Sequence, residues 1–304
     1  MIKKKLTSIF GCCFLLVILA ESGCTRKSLD YRKQEGYVNI ALQWDEGYAP
    51  EGFRFYFYPE TGGEVIVQDC PKEGFSGTLP TGDYKLLVLN SDMTNVALRN
   101  EHDYETAEVY AVPEELARSA GGCIAQPENL LLAQGLDNAE ILQVPYQDTV
   151  SASASCHSAI KHVRLLFKID DRLSIRSCSG TLSGVSSSIY CSTGECAHVP
   201  GSVNFTALPA GNEYDFIADI TVLNLITPQN SAQTHILDLD MEESDGTAQH
   251  AVFDLTNAVR DILEETGGEI PVEIRLDIRL TLIDGIMQAV VRPWDENGSG
   301  AGEL

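Results

Sequence analysis

GFRFYFYPETGGEV at residues 52–65 and GTLPTGDYKLLVLN at residues 77–90 are the stretches that decide the fold class. In the first, Phe53, Phe55 and Phe57 alternate with Arg54, Tyr56 and Tyr58, the period of a strand with one apolar face. In the second, Tyr84, Leu86 and Val88 share a face while Leu87 and Leu89 lie opposite, which predicts a strand buried on both sides. Between the two runs, Pro80 presets φ for a turn and Gly82 supplies a position of positive φ. The unit is strand, turn, strand, and none of its residues is catalytic.

Working outward, Val38, Ile40, Leu42 and Trp44 alternate with polar neighbours, so a half-buried strand starts near Tyr37. Residues 64–68 and 139–146 read as further strands, and Pro113–Arg118, with acids in its first turn and Gly121 as a stop, reads as a short helix. This spacing with Gly/Pro punctuation predicts an antiparallel β-sandwich over residues 37–148. Residues 149–159, TVSASASCHSA, read as a linker or equally as an edge strand.

The pattern then restarts at Val163, Leu165 and Phe167. Ala207-Leu208-Pro209-Ala210-Gly211-Asn212-Glu213-Tyr214 and the strand to Asn224 repeat the wording of residues 78–90, which argues for a duplicated sandwich over residues 160–294. Asp254 caps a helix carrying Leu255, Ala258, Val259, Ile262 and Leu263 on one stripe, with Gly267 at its end. A strand of about eleven residues follows, in which Val272, Ile274, Leu276, Ile278, Leu280 and Leu282 alternate with polar residues. Asp284-Gly285 signals a hairpin returning to Trp294, and residues 295–304 read as a disordered tail. The fold class is therefore mostly β, with one or two short helices.

The N-terminus reads as a processing signal. Lys3, Lys4 and Lys5 precede an apolar run, Ile9 to Ala20, that is too short to span a bilayer. Ala20-Glu21-Ser22-Gly23-Cys24 then resembles a bacterial lipobox, so residues 1–23 are expected to be removed and Cys24 lipidated. Residues 24–36 read as a polar tether. The net charge is −23; three lysines and Glu21 would leave with the signal, taking it to −25. Such a surface repels nucleic acid and anionic head groups. Of the cysteines beyond Cys24, Cys191 and Cys196 form the easiest local disulfide, with the full pairing left open.

No nucleophile elbow, P-loop, dinucleotide fingerprint or HExxH is present, and no enzyme activity, cofactor, metal or small-molecule substrate is expected. Cys191, Cys196 and His198 have a loosely metal-like spacing without a fourth ligand. His157 and His162 read as surface histidines, Asp170-Asp171 as a turn after a strand, and residues 238–247 as an acidic solvated loop. Tyr56 and Tyr58, with Trp44 and Tyr48, are candidates for an aromatic sugar platform.

Taken together, these motifs carry a family likeness. A lipobox Cys24 with Leu29-Asp30-Tyr31, then Trp44-Asp45, Pro50-Glu51-Gly52, Phe55-Tyr56-Phe57-Tyr58-Pro59, Gly62-Gly63, Leu79-Pro80-x-Gly82-x-Tyr84 and Leu89-Asn90-x-Asp92 resembles the fimbrillin-like lipoproteins of Bacteroidetes. Within that group the chain is most similar to the fimbrillin-associated anchor family. The resemblance implies two tandem transthyretin-like Greek-key β-sandwiches and a non-enzymatic role in anchoring or assembling a fimbria at the outer membrane. The implied partners are fimbrial subunits joined by strand donation, with the lipid as membrane anchor and its periplasmic or surface side left open. The 272–294 hairpin, with Val272, Ile274, Leu276, Ile278 and Leu280, is the expected strand-exchange segment. The alternative is a glycan-binding outer-membrane lipoprotein of a polysaccharide-uptake system, which needs Tyr56 and Tyr58 exposed. A third and weaker reading is a degenerate hydrolase.

Overall fold

The computed structural model of the chain describes residues 34–44, 48–114, 122–197, 199–211, 213–227, 235–283 and 286–293. The signal, Cys24, most of the tether, the 113–118 helix beyond Glu114, the Asp284-Gly285 turn and the tail lie outside the described residues.

Two β-units follow one another. The first contains β1 (Glu35–Trp44), β2 (Gly52–Pro59), β3 (Ile66–Pro71), β4 (Gly74–Pro80), β5 (Gly82–Asn90), β8 (Leu131–Gln134), β9 (Ile141–Val144) and β10 (Thr149–Ser158). Its strands are ordered β3-β2-β5-β8-β10-β1-β4, with β9 also paired to β5. Phe53, Phe55, Phe57, Leu86 and Val88 fill its core against Val38, Ile40 and Phe75 of the facing strands. The other face of β5, Leu87 and Leu89, is buried too, as the sequence predicts.

The second unit contains β11 (Lys161–Ile169), β12 (Ile175–Ser186), β14 (Pro200–Pro209), β15 (Phe216–Val222), β16 (Ile236–Glu243), β17 (Ala248–Asp254), α1 (Thr256–Glu265), β18 (Glu273–Ile283) and β19 (Ile286–Pro293). Its order is β17-β16-β12-β14-β15-β11-β18-β19. The 238–247 stretch is therefore not a loop: it is the end of β16 and the turn into β17, because Leu239 and Met241 face the core while the acids face water. Asp254 accepts a hydrogen bond from the Thr256 amide (2.8 Å) at the start of α1, and Val259 and Ile262 carry the helix's buried stripe.

The units are duplicates at the level of topology. β1 pairs parallel with β10 and antiparallel with β4; β11 pairs parallel with β18 and antiparallel with β15. β2 lies between β3 and β5, as β12 lies between β14 and β16. Hence β14 corresponds to β3, and β15 to β4. The repeated Leu-Pro wording is therefore out of phase: Leu79-Pro80 ends β4, whereas Leu208-Pro209 ends β14. The phrase marks a strand end in each unit rather than one ancestral turn. In the first copy Tyr84 donates to the Pro80 carbonyl (2.8 Å) and Asn90 accepts from the Leu131 amide (2.7 Å).

Residues 149–159 are not a linker between domains. Thr149–Ser158 is strand β10, paired with β1 from Thr149 to Cys156, because alternating Ala154 and Cys156 can enter the core. Ala159 and Ile160 alone separate it from β11. The units are further joined by a three-stranded sheet of β6 (Val96–Arg99), β7 (Glu108–Ala111) and β13 (Ser188–Tyr190). Val109, Ala111 and Ile124 from this excursion enter the core of the second unit.

Candidate functional site

Between Val144 and Thr149 the chain crosses from one half of the first unit to the other. Gln147, at φ +52°, donates its amide to the Glu35 carbonyl (3.0 Å), and Tyr37 donates to Asp148 (2.9 Å). These bonds pull β10 onto β1, while β9 stays on β5. The two consecutive strands splay instead of forming a hairpin. β8 reaches β10 only at His157 and Ser158. A groove of about 700 Å³ remains between the strands, lined among others by Leu136, Ile141, Gln143, Val150, Ser151 and Ser153.

The register fixes which main-chain groups face this groove. In a parallel ladder, alternate residues bond to a given neighbour. Since Tyr37 donates to Asp148, the peptide groups of Val150 and Ala152 turn to β1, and those of Thr149, Ser151 and Ser153 turn to the groove. The Ser153 carbonyl accepts from Asp137 (2.9 Å), which closes one end. Hydrogen bonds from Ser153, with a smaller share from Ser155, hold the Asp137 carboxyl below the usual carboxylate range. The Ser151 peptide lies on the open stretch beyond this tie.

The second unit offers an internal template. β18 is the counterpart of β10, and β19 lies antiparallel beside it, from Leu276 opposite Pro293 to Ile283 opposite Ile286. β19 thus occupies the position that is a groove in the first unit. Apolar Met287, Ala289 and Val291 of β19 pack on the core.

From Tyr37 to Gln43 the outer face of β1 beside the groove is uncharged, although Glu140 lines the groove itself. Tyr37, Asn39, Ala41 and Gln43 of β1 lie exposed, flanked by Ser76 and Thr78 on β4 and Thr149, Ser151 and Ser153 on β10. Tyr37 and Ser76 share a hydroxyl hydrogen bond (2.8 Å). In a chain of net charge −23, this face offers an acidic partner no repulsion of its own.

The residues singled out from sequence fall elsewhere. Tyr56 and Tyr58 stack at 6.4 Å but are only 3% and 6% exposed, so they present no platform to a sugar. They lie on the face of β2 covered by the interunit layer, where Tyr58 donates to the Glu101 carbonyl (3.0 Å) and Tyr104 meets its ring edge-on. Burial raises both phenols above their ordinary range. Cys191 and Cys196 are free thiols. Cys191 points into the core, which pushes it up to about 12, whereas Cys196 turns to the Leu225 carbonyl (3.7 Å). His198 lies outside the described residues.

Ile274, Leu276, Ile278 and Leu280 are core residues of β18, with only Val272 half exposed. β18 is flanked by β11 and β19, so the free edge of the 272–294 hairpin is β19. Asp170 is a turn residue: its carboxylate accepts from the Arg172 side chain and amide and from the Leu282 amide (3.2 Å), and Arg172 holds it well below the usual range. Among the described residues no group of His, Cys, Asp and Glu could hold a metal ion.

Sequence reasoning missed the groove because it depends on which strands pair, not on composition. It also missed the interunit sheet, whose strands are three or four residues long. There the buried Glu108 accepts from Arg99 (2.6 Å), whose guanidinium stacks over Tyr110.

The profile of a family described as a domain of unknown function (DUF5119) matches residues 23–206, more than half of the chain. A candidate fimbrium anchoring subunit of Bacteroides ovatus, Fim4B, is 32% identical over 96 residues, covering 31% of this chain and 29% of that protein. The aligned stretch thus spans less than a third of this relative. A candidate adhesin of Bacteroides ovatus superposes with a TM-score of 0.60 at 21% identity, over 79% of this chain and 89% of the other. The fimbrial anchor protein Mfa2 of Porphyromonas gingivalis superposes at 0.53 and 12% identity, over 85% and 96%. The structural likenesses show a shared two-unit β-fold, and the kinship expected from the sequence motifs is borne out.

Proposed function

The chain belongs to the DUF5119 family, and on that premise we propose that it anchors or assembles a fimbria at the outer membrane. The likeness to a fimbrium anchoring subunit supports the role, and the open β9/β10 groove is the observation that carries the mechanism. A strand donated by a fimbrial subunit lies antiparallel to β10, as β19 lies beside β18. It takes main-chain hydrogen bonds from Thr149 and Ser151, and sets alternate apolar side chains against Leu136 and Ile141. Lipidated Cys24 holds the assembly to the bilayer, with the tether between. Each unit, 37–158 and 160–294, is then a transthyretin-like Greek-key sandwich. The glycan-binding alternative loses its platform to the burial of Tyr56 and Tyr58.

The test is recovery of fimbrial subunits with the full chain from outer membranes. Ser151→Pro removes one amide on the groove side and leaves the β1 ladder untouched. Its expected result is a folded, membrane-bound protein that recovers at least about tenfold less subunit, the loss of roughly 1.4 kcal/mol in binding. Undiminished recovery would exclude the groove. Cys24→Ala should release the chain from membranes while leaving subunit binding intact; continued sedimentation with outer membrane after a salt wash would exclude the lipid anchor.

A further inference from the structure

The directions of the strands carry a consequence for force. β1 begins at the N-terminal end of the described chain, and β10 leads through Ala159 and Ile160 directly into the second unit. The two strands are parallel, from Tyr37 opposite Thr149 to Trp44 opposite Cys156. A pull on the segment before Glu35 draws β1 backward along its axis. A counter-pull on the second unit draws β10 forward along the same axis. The ladder between them is then loaded in shear, with its hydrogen bonds strained together. β4 grips the other edge of β1 from Glu35 to Ala41, so β1 cannot swing aside to open one bond at a time.

The opposite end of the chain has the opposite geometry. β19 is antiparallel to β18, and its last residue, Pro293, lies opposite Leu276 near the start of β18. β11 also starts at that end, with His162 opposite Glu273. A pull on the C-terminal end therefore lifts β19 from its terminus and breaks the β18–β19 bonds in succession.

Load spreads from the clamp into the second unit by two further routes. The β6–β7–β13 sheet ties the units together, with Glu108 bound to Arg99. Gln126 spans them as well: its amide donates to the Asn204 carbonyl (2.8 Å), and its carbonyl accepts from the Thr221 amide (3.0 Å). A pull on the first unit is thus not concentrated on the two-residue junction at Ala159 and Ile160.

We propose that the β1–β10 pair is a shear clamp, by which the chain bears tension between its N-terminal end and its second unit, while β19 is a strand that peels. The clamp follows from strand direction and holds whether or not the partner is a fimbria. A membrane-tethered protein holding any external load at its second unit would need this polarity, because the tether meets the chain at the shear end.

Single-molecule pulling on the folded full chain tests it. One handle is a bio-orthogonal side chain placed at Glu264, exposed on α1. The second handle is at the N-terminus in one arm and at the C-terminus in the other. Forced unfolding reads the rate of the loaded step. N-terminal rupture is expected at about twice the force of C-terminal peeling, or more, since parallel strands share the load. Equal forces in the two arms would overturn the clamp.

Two neighbouring prolines sharpen the result. The Ala152 amide faces β1 and the Ser151 amide faces the groove, so Ala152→Pro should lower the N-terminal rupture force and Ser151→Pro should not. Equal forces for the two variants would also overturn the proposal. If Ala152→Pro lacks a cooperative thermal transition, the two-arm comparison on the unaltered chain decides. Loss of fimbrial subunits on Ser151→Pro with an unchanged rupture force would separate the groove reading from the clamp.

Discussion

In the first unit the strands run β3-β2-β5-β8-β10-β1-β4, and the end strands β3 and β4 approach without pairing. In the second, the counterparts of those end strands, β14 and β15, do pair, at Leu208 opposite Ile217 and Pro209 opposite Phe216. There the break falls between β17 and β18, the counterparts of β8 and β10. Both units weaken the same second seam, but they fill it differently. The second lays α1 and β19 across it from its own chain. The first closes it with two residues of β8 and one bond from Asp137, and leaves a groove. One topology thus yields a finished unit and an acceptor, depending on whether a helix precedes the seam strand and an extra strand follows it. Local sequence sets that choice: β10 passes through only Ala159 and Ile160 into β11, too short to add a strand, whereas β18 continues into a hairpin.

The strongest way to break this comparison is to ask whether the units have separate cores. Phe57 lies in a cluster confined to the first unit. Phe167, stacked on Phe205 at 6.3 Å, lies in a cluster that also contains Tyr56, Tyr58, Leu87 and Leu89 of the first unit. Either Phe→Ala should cost about 3–5 kcal/mol in denaturant unfolding. Phe167→Ala should speed amide exchange in both units, and Phe57→Ala mainly in the first. Equal acceleration in both units by Phe57→Ala would mean that the chain opens as one cooperative block.

That shared core also explains what the sequence could reveal. The period-2 runs at Phe53–Tyr58 and Tyr84–Leu89 gave strands, and the double burial of β5 followed from its unbroken apolar run. The helix 254–267 was legible from its stripe and its terminal Asp and Gly. The amphipathic reading of β2 undercounted burial, because Tyr56 and Tyr58 are covered by residues 91–130, far from them in sequence. A tyrosine facing a sheet's second side looks the same in sequence whether that side meets water or another layer. β10 was hidden for a related reason: a Ser/Ala strand beside β1 has the composition of a linker, and only pairing distinguishes them. The groove was illegible because it is made by two strands declining to pair.

A narrower test concerns the backbone contacts that hold each unit's neighbouring strands close. Gly74 opens β4 at φ +120°, and a Cβ there would lie 2.0 Å from the Ile40 carbonyl oxygen of β1. Gly180 sits within β12, where a Cβ would lie 2.3 Å from the Asp238 oxygen of β16. Gly74→Ala meets both a backbone clash and a disfavoured φ, so it should cost roughly 2–4 kcal/mol, more than Gly180→Ala. Faster amide exchange should appear in β1 and β4 for the first substitution and in β12 and β16 for the second. Reversed sizes would mean that β1 is held less by β4 than by β10.

The smallest expected effect separates the units by pH. His235, immediately before β16, is 1% exposed; the corresponding residue before β5 is Thr81. The imidazole packs on Gly184, at φ +76°, where a Cβ would come within 2.7 Å of the ring. Burial lowers its pKa below the ordinary histidine value, and Asp254 offsets this only in part. The unfolded chain therefore binds a proton that the folded chain resists, so stability is complete above the unfolded histidine pKa, near 6.5, and declines as pH falls toward the depressed folded value. Between pH 7 and pH 5 this site should lose stability, with earlier amide exchange in β16 and α1 than in β1 or β10. His235→Phe should remove the pH dependence of exchange in β16 whatever it does to overall stability. The groove and the shear clamp lie in the first unit and contain no buried histidine, so mild acid should loosen the self-filled unit before the acceptor. If β1 and β10 exchange first instead, the seam filled by α1 and β19 is the firmer of the two even with a charge forced beneath it.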